Sequence, residues 1–142
     1  MKKFSIAGVV LGGTVDVVVT ELLAIVIVVV AILHGGIGRA AGSPAAITAL
    51  MSSAPIFATL MVVGLACSVL GGYVAAWIAK HDELLNGACS AWLCMGIGVA
   101  SLAFAAGNQP LWQRVLSEVI SPVAGLAGGY LRALQKRRPL GP

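Results

Sequence analysis

Long apolar runs, separated by short polar segments, are the main pattern along the chain. They predict four helices, near residues 6–33, 54–79, 85–106 and 111–134. A helix needs roughly 20 residues to cross the ~30 Å hydrocarbon layer of a bilayer, and each run meets that length. The predicted fold is all-α: a polytopic integral membrane protein with four transmembrane helices in a single domain over residues 1–142.

Local signals support the start of the second helix and add a short helix before it. Ser53 can cap the second helix, and Pro55 fits its first turn. Upstream, in a Gly- and Ala-rich loop, Ser43-Pro44 can start a short interfacial helix that runs through Met51.

Composition supports a membrane protein and argues against two other classes. Hydrophobic residues make up 59% of the chain and charged residues 10%, whereas a soluble domain has about 25% charged residues. The formal net charge of +4 would suit nucleic acid. However, the cations stand at the ends of the apolar runs, as topology signals do. We therefore expect the chain to lie in a lipid bilayer and to bind no nucleic acid.

The placement of Lys and Arg predicts the orientation, because cytoplasmic loops carry an excess of these residues. With the N-terminus inside the cell, the cytoplasmic cations are Lys2, Lys3, Lys80, Arg132, Lys136, Arg137 and Arg138. The cations outside are then Arg39 and Arg114. Both termini are expected to face the cytoplasm, in the inner membrane of a bacterium.

Two carboxylic acids, Asp16 and Glu21, lie inside the first apolar run. An acid at the centre of a bilayer costs about 2.5–3.5 kcal/mol on insertion scales, so a role and a polar partner are expected. Three interpretations are open. The acids can be structural, bonded to Asn86 or to Ser and Thr side chains. They can handle protons or cations, or they can pair with a polar residue of a partner subunit.

Asp16 belongs to a stripe at four-residue spacing on the first helix: Gly8, Gly12, Asp16, Thr20 and Ala24. Residues four apart share a helix face, so Asp16 is expected to face a neighbouring helix, with Thr20 within hydrogen-bonding reach. Glu21 lies about 140° further round the helix. We therefore expect the two acids to face different neighbours, or Glu21 to face a partner chain, and not to form a catalytic pair.

Similar stripes of small residues run along the second and fourth helices. Their members are Gly64, Ser68, Gly72 and Ala76 in the second helix, and Ser121, Gly125, Gly129 and Ala133 in the fourth. Such stripes let helices approach closely in lipid, so these residues are expected to pack against other helices, as are the glycines of the first helix. The segments LGGYVAAW and AGGYLRAL also match. A parallel duplication of a helical hairpin and a chance echo are both open.

Glu118 is a third acid in a predicted membrane helix, four residues after Arg114. An ion pair with Arg114 and a part in ion handling are both open. Pro122 leaves the carbonyl of Glu118 without its helical donor, so a bend is expected there.

Patterns typical of enzymes and metal sites do not occur in the sequence. Cys67, Cys89 and Cys94 are interpreted as packing residues, because no His or carboxylate accompanies them at a ligand spacing. No Walker, H-E-x-x-H or G-x-S-x-G motif is found. We expect no enzyme activity, no cofactor and no metal ion.

The segment LGGYVAAWIA, followed by a short polar turn and NGA, resembles a loose group of uncharacterised bacterial four-helix inner-membrane proteins. Their second helix tends to end in a GGY-type motif before a hairpin. Gly12-Gly13 followed by Asp16 is a further similarity. The resemblance implies a four-helix membrane fold; it implies no activity and no site residues.

An acid in the first of four helices, here Glu21, is also similar to the small multidrug-resistance transporters, in which that acid exchanges protons for a cationic substrate. The chain departs from that family in its greater length, in the Trp and Gly spacing of its third helix and in its charge asymmetry.

Two functions remain open on these grounds. The favoured one is an interaction or scaffold subunit that assembles through its glycine faces, with itself or within a larger membrane complex. It is favoured because the first helix has no pore-like row of polar residues. The alternative is a small proton- or cation-coupled transporter or channel that uses Asp16 or Glu21.

Overall fold

A computed structural model describes residues 5–34, 43–104 and 111–137, and at 101–104, 111 and 114 it describes the backbone alone. These residues form five helices: α1 (Ile6–His34), α2 (Pro44–Ser52), α3 (Ala54–Ala79), α4 (Glu83–Phe104) and α5 (Leu111–Arg137). The described part of the chain is thus helical, as the apolar pattern predicts. The predicted end of the third long helix, at residues 105 and 106, lies outside the described residues.

The short helix predicted before the second apolar run is present as α2. Ser43 caps it, since its hydroxyl oxygen accepts a hydrogen bond from the Ala46 amide at 3.2 Å. Ser53 stands between α2 and α3, and its hydroxyl donates to the Leu50 carbonyl at 2.6 Å instead of capping α3. This one-residue link holds α2 at the first turn of α3, where Pro55 lies.

Three of the five helices are long and apolar enough to cross a membrane, among the residues that the structure describes. They are α1, α3 and the segment Glu83–Ala100 of α4. The fourth predicted span forms a long helix, α5, but it does not reach the same hydropathy. The reason is a row of polar residues in its first half: Gln113, Arg114, Ser117, Glu118 and Ser121.

The four long helices form a bundle in which each runs antiparallel to the next. α1 packs mainly on α3, α5 packs on α3 and α4, and α4 also contacts α1 and α3. The Ser5 amide donates to Asn86 Oδ1 at 2.9 Å, and Lys136 Nζ lies 2.8 Å from Glu83 Oε1. The start of α1, the α3–α4 turn and the end of α5 therefore meet at one end, which we call the basic end.

The half of the bundle next to the basic end, here called the closed half, is held by glycine contacts. A Cβ added at Gly12 would lie 2.6 Å from both Ala75 Cβ and the Gly71 carbonyl oxygen. A Cβ added at Gly72 of α3 would overlap the Gly125 carbonyl of α5. Gly8 and Gly129 make similar approaches to backbone atoms, so the glycines of the predicted stripes lie at helix contacts.

Gly64 is the exception among the stripe residues expected to pack. No neighbouring atom lies within 4 Å of the position of its added Cβ. The helices have already separated at this level, so Gly64 faces a cavity instead of another helix.

The two echoed segments make different contacts. Gly71 in the first lies against Gly12 and Asp16 of α1, whereas its counterpart Gly128 lies against Val69 and Tyr73 of α3. The duplicated hairpin therefore remains a prediction, and its two copies do not occupy equivalent environments.

Candidate functional site

The stripes on α1 and α5 change from glycine to polar residues at the middle of the bundle. On α1, Gly8 and Gly12 are followed by Asp16; on α5, Gly129 and Gly125 are preceded by Ser121. Glycines let helices touch, whereas larger polar side chains hold them apart. The helices consequently meet in the closed half and separate in the half next to α2, which we call the open half.

The open half encloses a cavity of about 620 Å³ lined by residues of all five helices. This volume is typical of small-molecule sites, which span roughly 300–1,000 Å³. Its polar lining comes mainly from α1 and α5, whereas α3 contributes chiefly apolar side chains, among them Phe57, Leu60, Met61 and Leu65.

Asp16 forms the inner end of the cavity, and its side chain is 5% exposed. Ser68 Oγ of α3 donates to Asp16 Oδ1 at 3.3 Å, and Thr20 Oγ1 donates to the same atom at 3.4 Å. Ser68 and Ser121 hydroxyls are 3.1 Å apart, which extends this network to α5. Asn86, considered as a partner of Asp16 on sequence grounds, instead bonds Ser5 and the carbonyls of the α3–α4 turn.

Glu118 lines the wall of the cavity on α5 and is partly buried. Its carboxylate lies so close to Gly98 of α4 that an added Cβ there would overlap it. Gly98 therefore provides the space that the carboxylate occupies, and it was not identified from the sequence. The side chain of Arg114, the predicted ion-pair partner of Glu118, lies outside the described residues. α5 continues as a helix through Pro122.

Glu21 lies nearer the mouth and is exposed. Glu21 and Asp16 both line this cavity. That Glu21 faces a different neighbour from Asp16, or a partner chain, remains a prediction. The two side chains are about 140° apart around α1. Both reach the cavity because the helices are separated in the open half. Asp16 contacts α3 at the inner end, while Glu21 lies five residues further along α1.

Gln113 is a buried cavity residue that sequence reasoning missed. It is 5% exposed, and its Nε2 donates to the Ser52 carbonyl of α2 at 3.4 Å. Its Oε1 has no hydrogen-bond partner among the described residues, nor does the buried hydroxyl of Ser52. The four-residue spacing of Gln113, Ser117 and Ser121 places it on the polar face of α5, but its burial depends on α2.

The cavity is acidic. Asp16, Glu21 and Glu118 line it, and no Lys, Arg or His is among the lining residues that the structure describes. Low-dielectric walls with charges of one sign concentrate the electrostatic potential, so such a cavity attracts cations.

The described residues provide no metal site. No group of three His, Cys, Asp or Glu side chains among them could hold a metal ion. Cys94 lies at the inner end of the cavity, where its Sγ donates to the Gly13 carbonyl at 3.5 Å. Its thiol therefore links α4 to α1, in keeping with the packing role predicted for it.

Comparison of the chain with protein-family models, with curated proteins and with solved structures finds no match. The cavity is therefore interpreted from its own geometry.

Proposed function

We propose that the protein is a small membrane transporter that binds a cationic solute in the acid-lined cavity. The observation that carries the proposal is the lining itself. It has three carboxyl groups and a buried amide oxygen without a partner, and the described lining residues include no base. Uncompensated acids in an apolar surrounding are unfavourable unless a cation or a proton accompanies them.

The contacts also weaken the competing proposal of a scaffold subunit. That hypothesis relied on glycine faces being available to a partner chain. Gly12, Gly72, Gly125 and Gly129 are instead buried against helices of the same chain. Assembly through these faces would require the bundle to open, so the cavity supports the transport hypothesis better.

In the proposed transporter, α5 is the fourth membrane-spanning helix, although it is more polar than the other long helices. Its polar residues Gln113, Glu118 and Ser121 line the cavity. Its exposed positions in the same stretch are apolar: Val115, Leu116, Val119, Val123 and Leu126. A helix of this kind presents an apolar surface to lipid and a polar one to the bundle interior, as polar groups in membrane helices usually do.

The closed half argues for a transporter and against an open channel. Below Asp16 and Ser68 the helices are in glycine contact, so the cavity ends blind. A solute could cross only if the closed half opened while the open half closed, which is alternating access. In this scheme the Asp16 carboxylate binds either the cation or a proton, and competition between the two couples their movements.

The test is transport by the full chain in liposomes. Currents on a solid-supported membrane are recorded after addition of sodium, tetraethylammonium, butylammonium or spermidine. We expect a current with at least one cation, and its loss in Asp16→Asn. The matched control is Asp82→Asn, which removes one carboxylate at the basic end and should leave the current unchanged. If the parent chain neither binds nor moves any of these cations, the proposed function is wrong.

A further inference from the structure

Resting on the proposed cation binding, we propose that the ligand is a linear aliphatic polyamine that lies along the cavity, with one ammonium group at Asp16 and another N–H group at Gln113.

The hydrogen-bond acceptors of the cavity are spaced along the bundle axis. Asp16 and Ser121 both contact Ser68, so they mark the same level. Helices rise about 1.5 Å per residue. From that level towards α2, Glu118 is therefore about 4.5 Å away, Glu21 about 7.5 Å and Gln113 about 12 Å. The cavity thus has acceptors at intervals along its length, as a chain with several amino groups requires.

The amide oxygen of Gln113 is buried and has no hydrogen-bond partner in the described part of the chain. The Nε2 of this residue already donates to the Ser52 carbonyl, and its Oε1 has no partner among the described residues. The residue is only 5% exposed. A buried acceptor without a partner is unfavourable, so this oxygen is suited to a ligand that donates an N–H. A quaternary ammonium ion or an alkali cation has no such donor.

Part of the cavity lining is an apolar wall. Leu60, Met61 and Leu65 of α3 line the cavity together with Ile97 of α4. Methylene segments between amino groups can pack on this wall while the ammonium groups face α1 and α5, as the stem of a lysine covers apolar surface beside its charge. A compact inorganic cation has no methylene groups to pack on this wall.

Binding to the full chain in detergent tests the proposal. Phe57 lines the cavity and lies edge-on to Trp112, with ring centroids 5.7 Å apart, so Trp112 fluorescence can report the ligand. The measurement uses the background Trp77→Phe with Trp92→Phe. The probes are spermidine, putrescine, butylammonium and tetraethylammonium. We expect spermidine to bind about tenfold or more tightly than butylammonium, since it gains a charge-assisted hydrogen bond to Gln113 that butylammonium lacks.

Variants of Gln113 separate its role from that of Asp16. Gln113→Leu should weaken spermidine binding about tenfold and leave butylammonium unchanged, whereas Asp16→Asn should weaken both. Gln135→Leu makes the same substitution at the basic end and serves as the matched control. Gln113→Leu removes both the N–H that donates to Ser52 and the unpaired acceptor oxygen. Gln113→Glu is therefore measured as well, because it removes the same N–H but keeps acceptor oxygens. It keeps the size, adds a charge and should strengthen spermidine binding selectively.

The outcomes distinguish the two proposals. Equal affinities for spermidine and butylammonium, or equal effects of the Gln113 variants on both, would overturn the polyamine assignment while cation binding stands. Tighter binding of tetraethylammonium than of spermidine would overturn it as well. Absence of binding by all four probes would overturn the polyamine assignment, and the proposed function would fall as well if sodium were neither bound nor transported.

Discussion

On α1 and α5, residues at four-residue spacing lie at helix contacts in the closed half and line the cavity in the open half. A Cβ added at Gly12 of α1 would lie 2.6 Å from atoms of α3. Four residues later, Asp16 lies at the inner end of the cavity. The same change occurs on α5 between Gly125 and Ser121. On these two helices, the change from glycine to a polar residue coincides with the change from a helix contact to the lining of the cavity.

At the residue scale, Gly12→Ala should destabilise the protein. The added methyl group would collide with Ala75 Cβ and with the Gly71 backbone, and overpacking of this kind costs about 1–3 kcal/mol. Gly96→Ala is the control, because no neighbouring atom lies within 4 Å of its added Cβ. It should leave stability unchanged or raise it by up to about 1 kcal/mol through helix propensity. Thermal unfolding of both variants in one detergent measures the difference, and equal midpoints would contradict the close contact.

At the element scale, the sequence predicts the helices well and the cavity only in part. Apart from the predicted end at 106, which lies outside the described residues, the apolar runs place the ends of the long helices within about three residues. The long runs are bounded by polar segments, which mark those ends. Asp16, Glu21 and Glu118 also stand out, since acids are costly in an apolar run. Gln113 does not stand out, because it lies near a helix end, where polar residues are common. Its burial depends on α2, whose position no local pattern reveals.

Gly12 and Gly64 also show that the sequence does not predict which stripe residues lie at helix contacts. Both belong to glycine stripes, yet one lies at a helix contact and the other has nothing within 4 Å of its added Cβ. The difference is set by how far apart α1, α3 and α5 are at each level, which depends on side chains from other helices. Sequence spacing within one helix carries no information on that distance.

This difference makes Gly64→Leu a test of the cavity as a whole. The leucine side chain should extend from α3 into the empty space and displace the ligand, without collision with the backbone. We expect spermidine binding to weaken about tenfold or more, while the unfolding midpoint stays within a few degrees of that of the parent chain, about 1 kcal/mol. Ala66→Leu, two residues later on the exposed side of α3, is the control and should keep binding intact. Unchanged binding in Gly64→Leu would mean that the ligand lies elsewhere.

At the scale of the whole molecule, charge is separated along the bundle axis. Three of the five acids in the chain line the cavity in the open half. The described cations collect at the other end, where Lys136 bonds Glu83 and the Lys80 carbonyl. A cation in the cavity is therefore kept apart from the repulsion of the basic end. The same asymmetry links the direction in which the cavity opens to the orientation of the chain in the membrane.

The basic end should lie in the cytoplasm, because Lys and Arg concentrate on that side of membrane proteins. A green fluorescent protein fused after the C-terminus should then fluoresce, and alkaline phosphatase fused at the same place should be inactive, since it folds only outside the cytoplasm. The phosphatase inserted in the segment 35–42 should be active. Phosphatase activity at the C-terminus would place the mouth of the cavity on the cytoplasmic side. Ligands would then have to reach Asp16 from within the cell, and the transport assays would need the opposite orientation of the protein in liposomes.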